Sequence, residues 1–169
     1  MLYFCAVLNI AKPIVFAILL FSFIPEQQEK IKVVSFDQLE KTIKRSNDTL
    51  YVVNYWATWC RPCVQELPFF IEAGKKFSAE KVRVIFVSLN SVKELPKVQQ
   101  FAYTKNIQEK VILLDAGNPN VWIDKVDSSW GGSIPATVMY KKGKKVFFKE
   151  GEFTQTQIDS IIILKNKTP

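Results

Sequence analysis

Val52-Val53-Asn54-Tyr55-Trp56-Ala57-Thr58-Trp59-Cys60-Arg61-Pro62-Cys63 decides how this chain folds. It opens as an apolar, aromatic-rich run, the composition of a buried strand. Two cysteines follow at C-x-x-C spacing, and a helical pattern begins there. A proline in the first turn suits a helix start, because its φ is already helical and its missing N–H would have no partner in that turn. Cys60 is therefore expected at a helix N-terminus, with Cys63 one turn further on the same face. At i, i+3 two Cβ atoms lie about 5–6 Å apart. A disulfide needs about 3.5–4.5 Å, so a modest adjustment closes the pair.

Chemistry follows from that position. The unpaired N–H groups and the dipole of a helix start favour negative charge. The thiolate is the nucleophilic form of cysteine, and C-x-x-C cysteines at such places ionise more readily than free ones. The guanidinium of Arg61 adds to this. Cys60 reads as the attacking thiol. Cys63, deeper in the helix, reads as the thiol that resolves a mixed disulfide. A purely structural disulfide is the alternative, but it closes so small a loop that it restrains little of the unfolded chain.

Residues 52–70, VVNYWATWCRPCVQELPFF, together with Ser133-Ile134-Pro135-Ala136-Thr137 and Gly151, resemble the thioredoxin-like superfamily. Within it the similarity is to exported, membrane-associated thiol–disulfide oxidoreductases of the TlpA/ResA type, over roughly residues 35–165. The resemblance implies an α/β thioredoxin-like fold, a central mixed sheet with helices on both faces. It implies no cofactor and no metal, since the two thiols carry the electrons. Its expected partners are disulfide-bearing proteins, apocytochrome c often among them, and a membrane electron donor upstream. Reduction of partners by a monomer is the expected activity.

The resemblance also assigns residues. On spacing alone Pro135 is an ordinary turn proline; the resemblance makes it a cis proline against the C-x-x-C pair. Ile134 then offers its backbone to an extended peptide, and Trp59, Arg61 and Pro62 border the same groove. Glu66 would ordinarily be a solvated helix charge. The resemblance makes it a partly buried carboxylate under the cysteines, able to relay the proton that Cys63 loses. Asn54 is a departure, because many cytoplasmic thioredoxins have an aspartate there. Asparagine exchanges no proton, so any carboxylate role passes to Glu66.

The totals agree. The 169 residues suit one domain plus an appendage, and 48% hydrophobic content suffices for a core. With no histidine and three cysteines, a Cys/His zinc site is poorly supplied. Histidine-assisted nucleophilic catalysis is excluded. A net charge of +7 favours anionic surfaces in general and does not indicate nucleic acid.

Residues 13–24, PIVFAILLFSFI, form an apolar run that matches a signal-peptide core better than a membrane span of about 20 residues. Residues 1–25 are expected to be a signal peptide or N-terminal membrane anchor, and residues 26–169 the catalytic domain. Cleavage and retention both stay open, and Cys5 comes too early for a lipoprotein signal. The expected place is the bacterial cell envelope, tethered at the outer face of the cytoplasmic membrane.

Further along, Phe36, Leu39 and Ile43 recur at helical spacing, with Asp37 as a capping candidate. After the helix that starts near Cys60, kinked at Pro68 and ending near Gly74, residues 82–89 read as a strand covered on both faces. A helix over 94–105, a strand over 111–114, a short helix or irregular segment over 120–127 and a hairpin from 136–141 to 145–150 follow. Ile158, Ile161, Ile162 and Leu164 mark a last amphipathic helix. Trp122 and Trp130 read as packing residues, and five lysines around the hairpin as a solvated edge. Two rival functions are a thiol peroxidase, which ordinarily lacks W-C-x-x-C, and a non-enzymatic peptide-binding or chaperone module that keeps the cysteines as a staple.

Overall fold

A computed structural model describes residues 30–167. The expected signal or anchor segment, 1–25, lies outside the described residues. Among those described, no helix is long and apolar enough to cross a membrane.

The chain enters through β1 (Lys32–Ser35) and turns directly into α1 (Phe36–Ile43). The cap of this helix is Ser35, not Asp37. Ser35 Oγ accepts from the Gln38 N–H, and Gln38 Oε1 accepts in return from the Ser35 N–H at 2.9 Å. This reciprocal box satisfies two N–H groups, whereas Asp37 stands in the first turn, where its charge suits the helix dipole. Phe36, Leu39 and Ile43 are buried, as their spacing requires. Ser35→Ala is expected to lower stability by about 1 kcal/mol, read as a denaturation midpoint.

Next come β2 (Leu50–Trp56), α2 (Arg61–Lys76), β3 (Val82–Ser88), α3 (Leu95–Thr104) and β4 (Lys110–Asp115). A one-turn helix, α4 (Ile123–Val126), leads to the hairpin β5 (Ala136–Lys141) and β6 (Lys144–Glu150), and α5 (Gln155–Asn166) follows. The six-stranded sheet has the order β1-β4-β3-β2-β5-β6. The first four strands in that order pair in parallel, and β5 and β6 add antiparallel. The expected mixed sheet with helices on both faces is what forms.

Strand alternation sorts the core. Every residue of β2 is buried. Leu50, Val52 and Trp56 point into a cluster with α2, α3 and α5, whereas Tyr51, Val53 and Tyr55 point into a second cluster with α1 and α4. Trp122 and Trp130 pack on Tyr55 in that second cluster, with ring centroids 6.0 and 4.9 Å away. Asn54 shares the parity of Val52 and Trp56, so it faces α2.

The last helix forms where its four apolar residues lie, but it buries only part of them, and one expectation about the hairpin needs correction. Of the four apolar residues that mark α5, only Ile158 and Ile162 are buried; Leu164 is 59% exposed. At about 100° per residue Leu164 is roughly 200° around the helix from Ile162, so it faces away from the core. Nor are all the hairpin lysines solvated. Lys141 is buried and its Nζ donates to the backbone O and the Oδ1 of Asn166 at the end of α5. Lys145 pairs with Asp127, and Lys149 donates to the Glu152 carbonyl while lying over the Phe153 ring.

Candidate active site

Strand β2 ends at Trp56, and its carbonyl accepts from the Leu89 N–H at 2.8 Å. The chain then turns: the Cys60 N–H donates to the Ala57 carbonyl at 3.1 Å, across Thr58 and Trp59. Cys60, extended at φ −84°, ψ 99°, is the N-cap of α2. Its sulfur accepts from the Cys63 N–H at 3.3 Å, the place a serine oxygen holds in an ordinary cap. Pro62 stands in the first turn, as expected. The helix dipole and this N–H both stabilise negative charge at that sulfur.

Cys60 and Cys63 form a disulfide with Cα atoms 5.3 Å apart. The two sulfurs differ in access. Cys60 keeps 5% of its surface and Cys63 none. Trp59 is 61% exposed just before Cys60, Arg61 is exposed in the first turn, and Pro62 is half-buried.

The second wall comes from far along the chain. Because β5 pairs antiparallel with β2, the loop before β5 arrives beside the turn that carries Cys60. The Ile134–Pro135 peptide is cis, as the resemblance implied, and the Ile134 carbonyl O lies 3.7 Å from Cys60 Sγ. Pro135 is buried and Ile134 half-buried. The loop is held on both sides. Trp130 Nε1 donates to the Ser133 carbonyl, and the Gly151 N–H donates to the Pro135 carbonyl, each at 2.8 Å. Gly151 has φ +99°, a conformation that a residue with a side chain rarely adopts.

Glu66 is not a solvated helix charge. It is 1% exposed, on the same face of α2 as Cys63. Oε1 accepts from Asn54 Nδ2 at 2.8 Å and Oε2 from the Phe153 N–H at 2.8 Å. Burial pushes its pKa from 4.5 up to about 7, against the pull of these two hydrogen bonds. Asn54 Nδ2 also reaches Thr137 Oγ1 at 3.1 Å, its partner across β2 and β5. Asn54 Oδ1 finds no donor among the described residues. So Asn54 exchanges no proton but holds the group that can. Strand parity could have placed Asn54 against α2; nothing local signals the Phe153 N–H. Among the described residues no cluster of His, Cys, Asp and Glu is arranged to hold a metal ion.

Comparison with known proteins places this arrangement. The model of the AhpC/TSA family matches residues 25–148. The thioredoxin-like protein YneN of Bacillus subtilis is 35% identical over 63 residues, which are 37% of this chain and 36% of that protein. The thiol-disulfide oxidoreductase ResA of Bacillus anthracis is 29% identical over 119 residues, 69% of this chain and 62% of ResA. The chain thus spans less than two thirds of the length of these relatives. A thioredoxin-family thiol:disulfide interchange protein from Chlorobium tepidum superposes with a TM-score of 0.60 at 22% identity, covering 72% of this chain and 82% of that one. With its Cys60–Cys63 pair at the start of α2 and a cis proline facing it, this chain has a thioredoxin-like fold and belongs to the AhpC/TSA family.

Proposed function

We propose that the protein is a thiol–disulfide oxidoreductase that reduces disulfides of protein partners in the bacterial cell envelope. One observation carries the reading: the Cys60–Cys63 disulfide sits on a helix N-terminus, with the Ile134 carbonyl 3.7 Å from the more accessible sulfur. ResA relatives named as thiol-disulfide oxidoreductases support it.

In the reduced protein, the Cys60 thiolate attacks one sulfur of a partner disulfide. The partner S–S bond breaks, its departing thiolate takes up a proton, and a Cys60–partner disulfide forms. Cys63 then loses its proton and attacks the Cys60 sulfur. That bond breaks, the second partner thiol leaves protonated, and Cys60–Cys63 is oxidised. Two electrons have passed from the dithiol to the partner, with the proton that Cys63 lost and one from water that replaces the proton Cys60 gave up on ionising. A dithiol donor, bound to the membrane in this reading, returns them. Cys60 is the nucleophile and Cys63 the resolving thiol. Glu66, at a pKa of about 7, takes the Cys63 proton near neutrality. The main chain at Ile134 pairs with an extended partner segment, while Trp59, Arg61 and Pro62 form the rim and Pro135 the floor.

In the same reading, residues 1–25 export or anchor the chain, and residues 26–169 are the catalytic domain, active as a monomer. Apocytochrome c disulfides are the substrate class we assign, by resemblance.

The test is reduction of a protein disulfide by a chain starting at residue 26, supplied with a small dithiol. It is expected to fold, because both core clusters close within residues 31–162 of those described, and to accelerate reduction. Cys60→Ser should abolish that acceleration. Unimpaired partner binding and function in Cys60→Ser would establish the peptide-binding module instead, and rapid peroxide consumption at Cys60 would establish the peroxidase.

A further inference from the structure

Asn90 is 2% exposed and lies outside the motifs that mark the cysteines. Its carboxamide is nevertheless fully used. Oδ1 accepts from the Thr58 N–H at 2.9 Å and from Ser88 Oγ at 3.0 Å. Nδ2 donates to Thr58 Oγ1 at 2.8 Å and to Glu94 Oε2 at 3.3 Å. Two donors and two acceptors exhaust what one carboxamide offers, so its orientation is determined. The Asn90 N–H also donates to Ser88 Oγ, and Glu94 Oε2 accepts from the Ser91 N–H.

This network joins two segments. One is the Ser88–Glu94 stretch, which links the end of β3 to the start of α3. The other is the turn from Ala57 to Cys60. Asn90 grips the first corner residue of that turn, Thr58, at both its main chain and its side chain. The next residue is the exposed Trp59, and the next is Cys60, whose sulfur must sit over the start of α2 to receive the Cys63 N–H. A buried, saturated amide is costly to break, since each lost partner leaves a polar atom unpaired.

We infer that Asn90 is a positioning residue for disulfide exchange: by clamping Thr58 it holds the Ala57–Cys60 turn so that the Cys60 sulfur stays on the N-terminus of α2 and Trp59 stays outside. This deepens the reading of Cys60 as the nucleophile and rests on it. Without the clamp the turn has other conformations in which the thiolate loses the helix N-terminus. Thiolate stabilisation therefore weakens even though Asn90 touches neither sulfur.

The experiment measures the rate of Cys60 alkylation against pH in the full chain, reduced, with Cys5→Ser in every variant so that only Cys60 and Cys63 report. Asn90→Ala is expected to move the midpoint up by about half a unit to one unit, and to slow alkylation below the midpoint roughly threefold to tenfold. The plateau rate at high pH should be retained. Thr58→Ala, which removes one of the two contacts, is expected to shift the midpoint less in the same direction. The double variant should match Asn90→Ala alone, because Thr58 acts through the same clamp. A lower melting temperature with an unmoved midpoint would show a merely structural Asn90 and overturn the inference. If Asn90→Ala does not fold, an unmoved midpoint in Thr58→Ala overturns it equally. Failure of the unsubstituted protein to exchange disulfides would instead sink the oxidoreductase reading, while the alkylation curves still judge the clamp.

Discussion

Replacing Cys63 by alanine is expected to stop turnover and leave the partner attached to Cys60 through a disulfide. Cys63 is fully buried, and its backbone N–H already points at the Cys60 sulfur. The thiol is thus held one bond-forming step from its target. A thiol fixed in this way acts at an effective concentration far above millimolar solution thiols, so its loss should slow release at least about a hundredfold. Folding should change little beyond the small volume removed, because the sulfur closes only a local loop. The measurement is non-reducing electrophoresis followed by mass spectrometry of the trapped species, which also names the partner. Cys60→Ala should trap nothing. Trapping at Cys63 in that variant would reverse the two roles, and undiminished turnover by Cys63→Ala would remove the resolving step altogether.

Glu66→Gln is expected to change both the stability profile and the kinetics. The folded-state pKa of Glu66 is about 7, against an ordinary 4.5. Between those values the folded protein holds a proton that the unfolded chain releases. Stability from this group is therefore complete below pH 4.5, falls as pH rises toward 7 and is flat above it. The loss is about 3 kcal/mol for a fully buried carboxyl. Glutamine keeps the size and does not titrate, so the variant should lack this fall. Its one amide oxygen can accept at only one of the two places now served by Asn54 Nδ2 and the Phe153 N–H, so one of those hydrogen bonds is lost, because the amide nitrogen only donates. Resolution of the mixed disulfide should slow, most clearly near pH 7, where the carboxylate and its acid are both populated.

Asn54 suits both protonation states. Its Nδ2 serves the carboxylate, and a half-turn of the carboxamide would offer the unpartnered Oδ1 to a protonated Glu66. The proposed relay couples the two thiols to Glu66, so titration of the reduced protein is expected to show apparent values for the group rather than for single residues. The check is the rate of resolution and the unfolding free energy, each followed from pH 4 to 9 in both proteins. Superimposable profiles would make Glu66 an ordinary structural carboxyl and send the Cys63 proton out through water.

Much of this was legible in the chain itself, where the causes are local. C-x-x-C with proline in the first turn sets a helix start at Cys60, because capping and fixed φ act over a few residues. The apolar run 50–56 reads as a strand, and its parity alone puts Asn54 on the side of Val52 and Trp56. Short-range details could still go astray: Asp37 looked like a cap, but Ser35 had a glutamine three residues on to complete a reciprocal box. Leu164 belongs to the last helix as its spacing implied, but roughly 200° around from Ile162 it faces away from the core.

Other features exist only once the sheet has assembled. Strand order brings Ile134 to Cys60 across 74 residues, and the cis peptide was expected from resemblance, not from spacing. The Phe153 N–H reaches Glu66 across 87 residues, and Asn90 reaches Thr58 across 32. Whether a helix carboxylate is solvated or buried is not written in its neighbours. It depends on which distant backbone donors pay the cost of desolvation, and the pairing of β5 with β2 and the packing of the segment before α5 decide that. The sequence by itself determined the dithiol, the helix that carries it and the faces of the central strand. The tertiary structure decided what faces the Cys60 sulfur and that the Glu66 carboxyl is buried, because contacts between residues far apart in the chain set both.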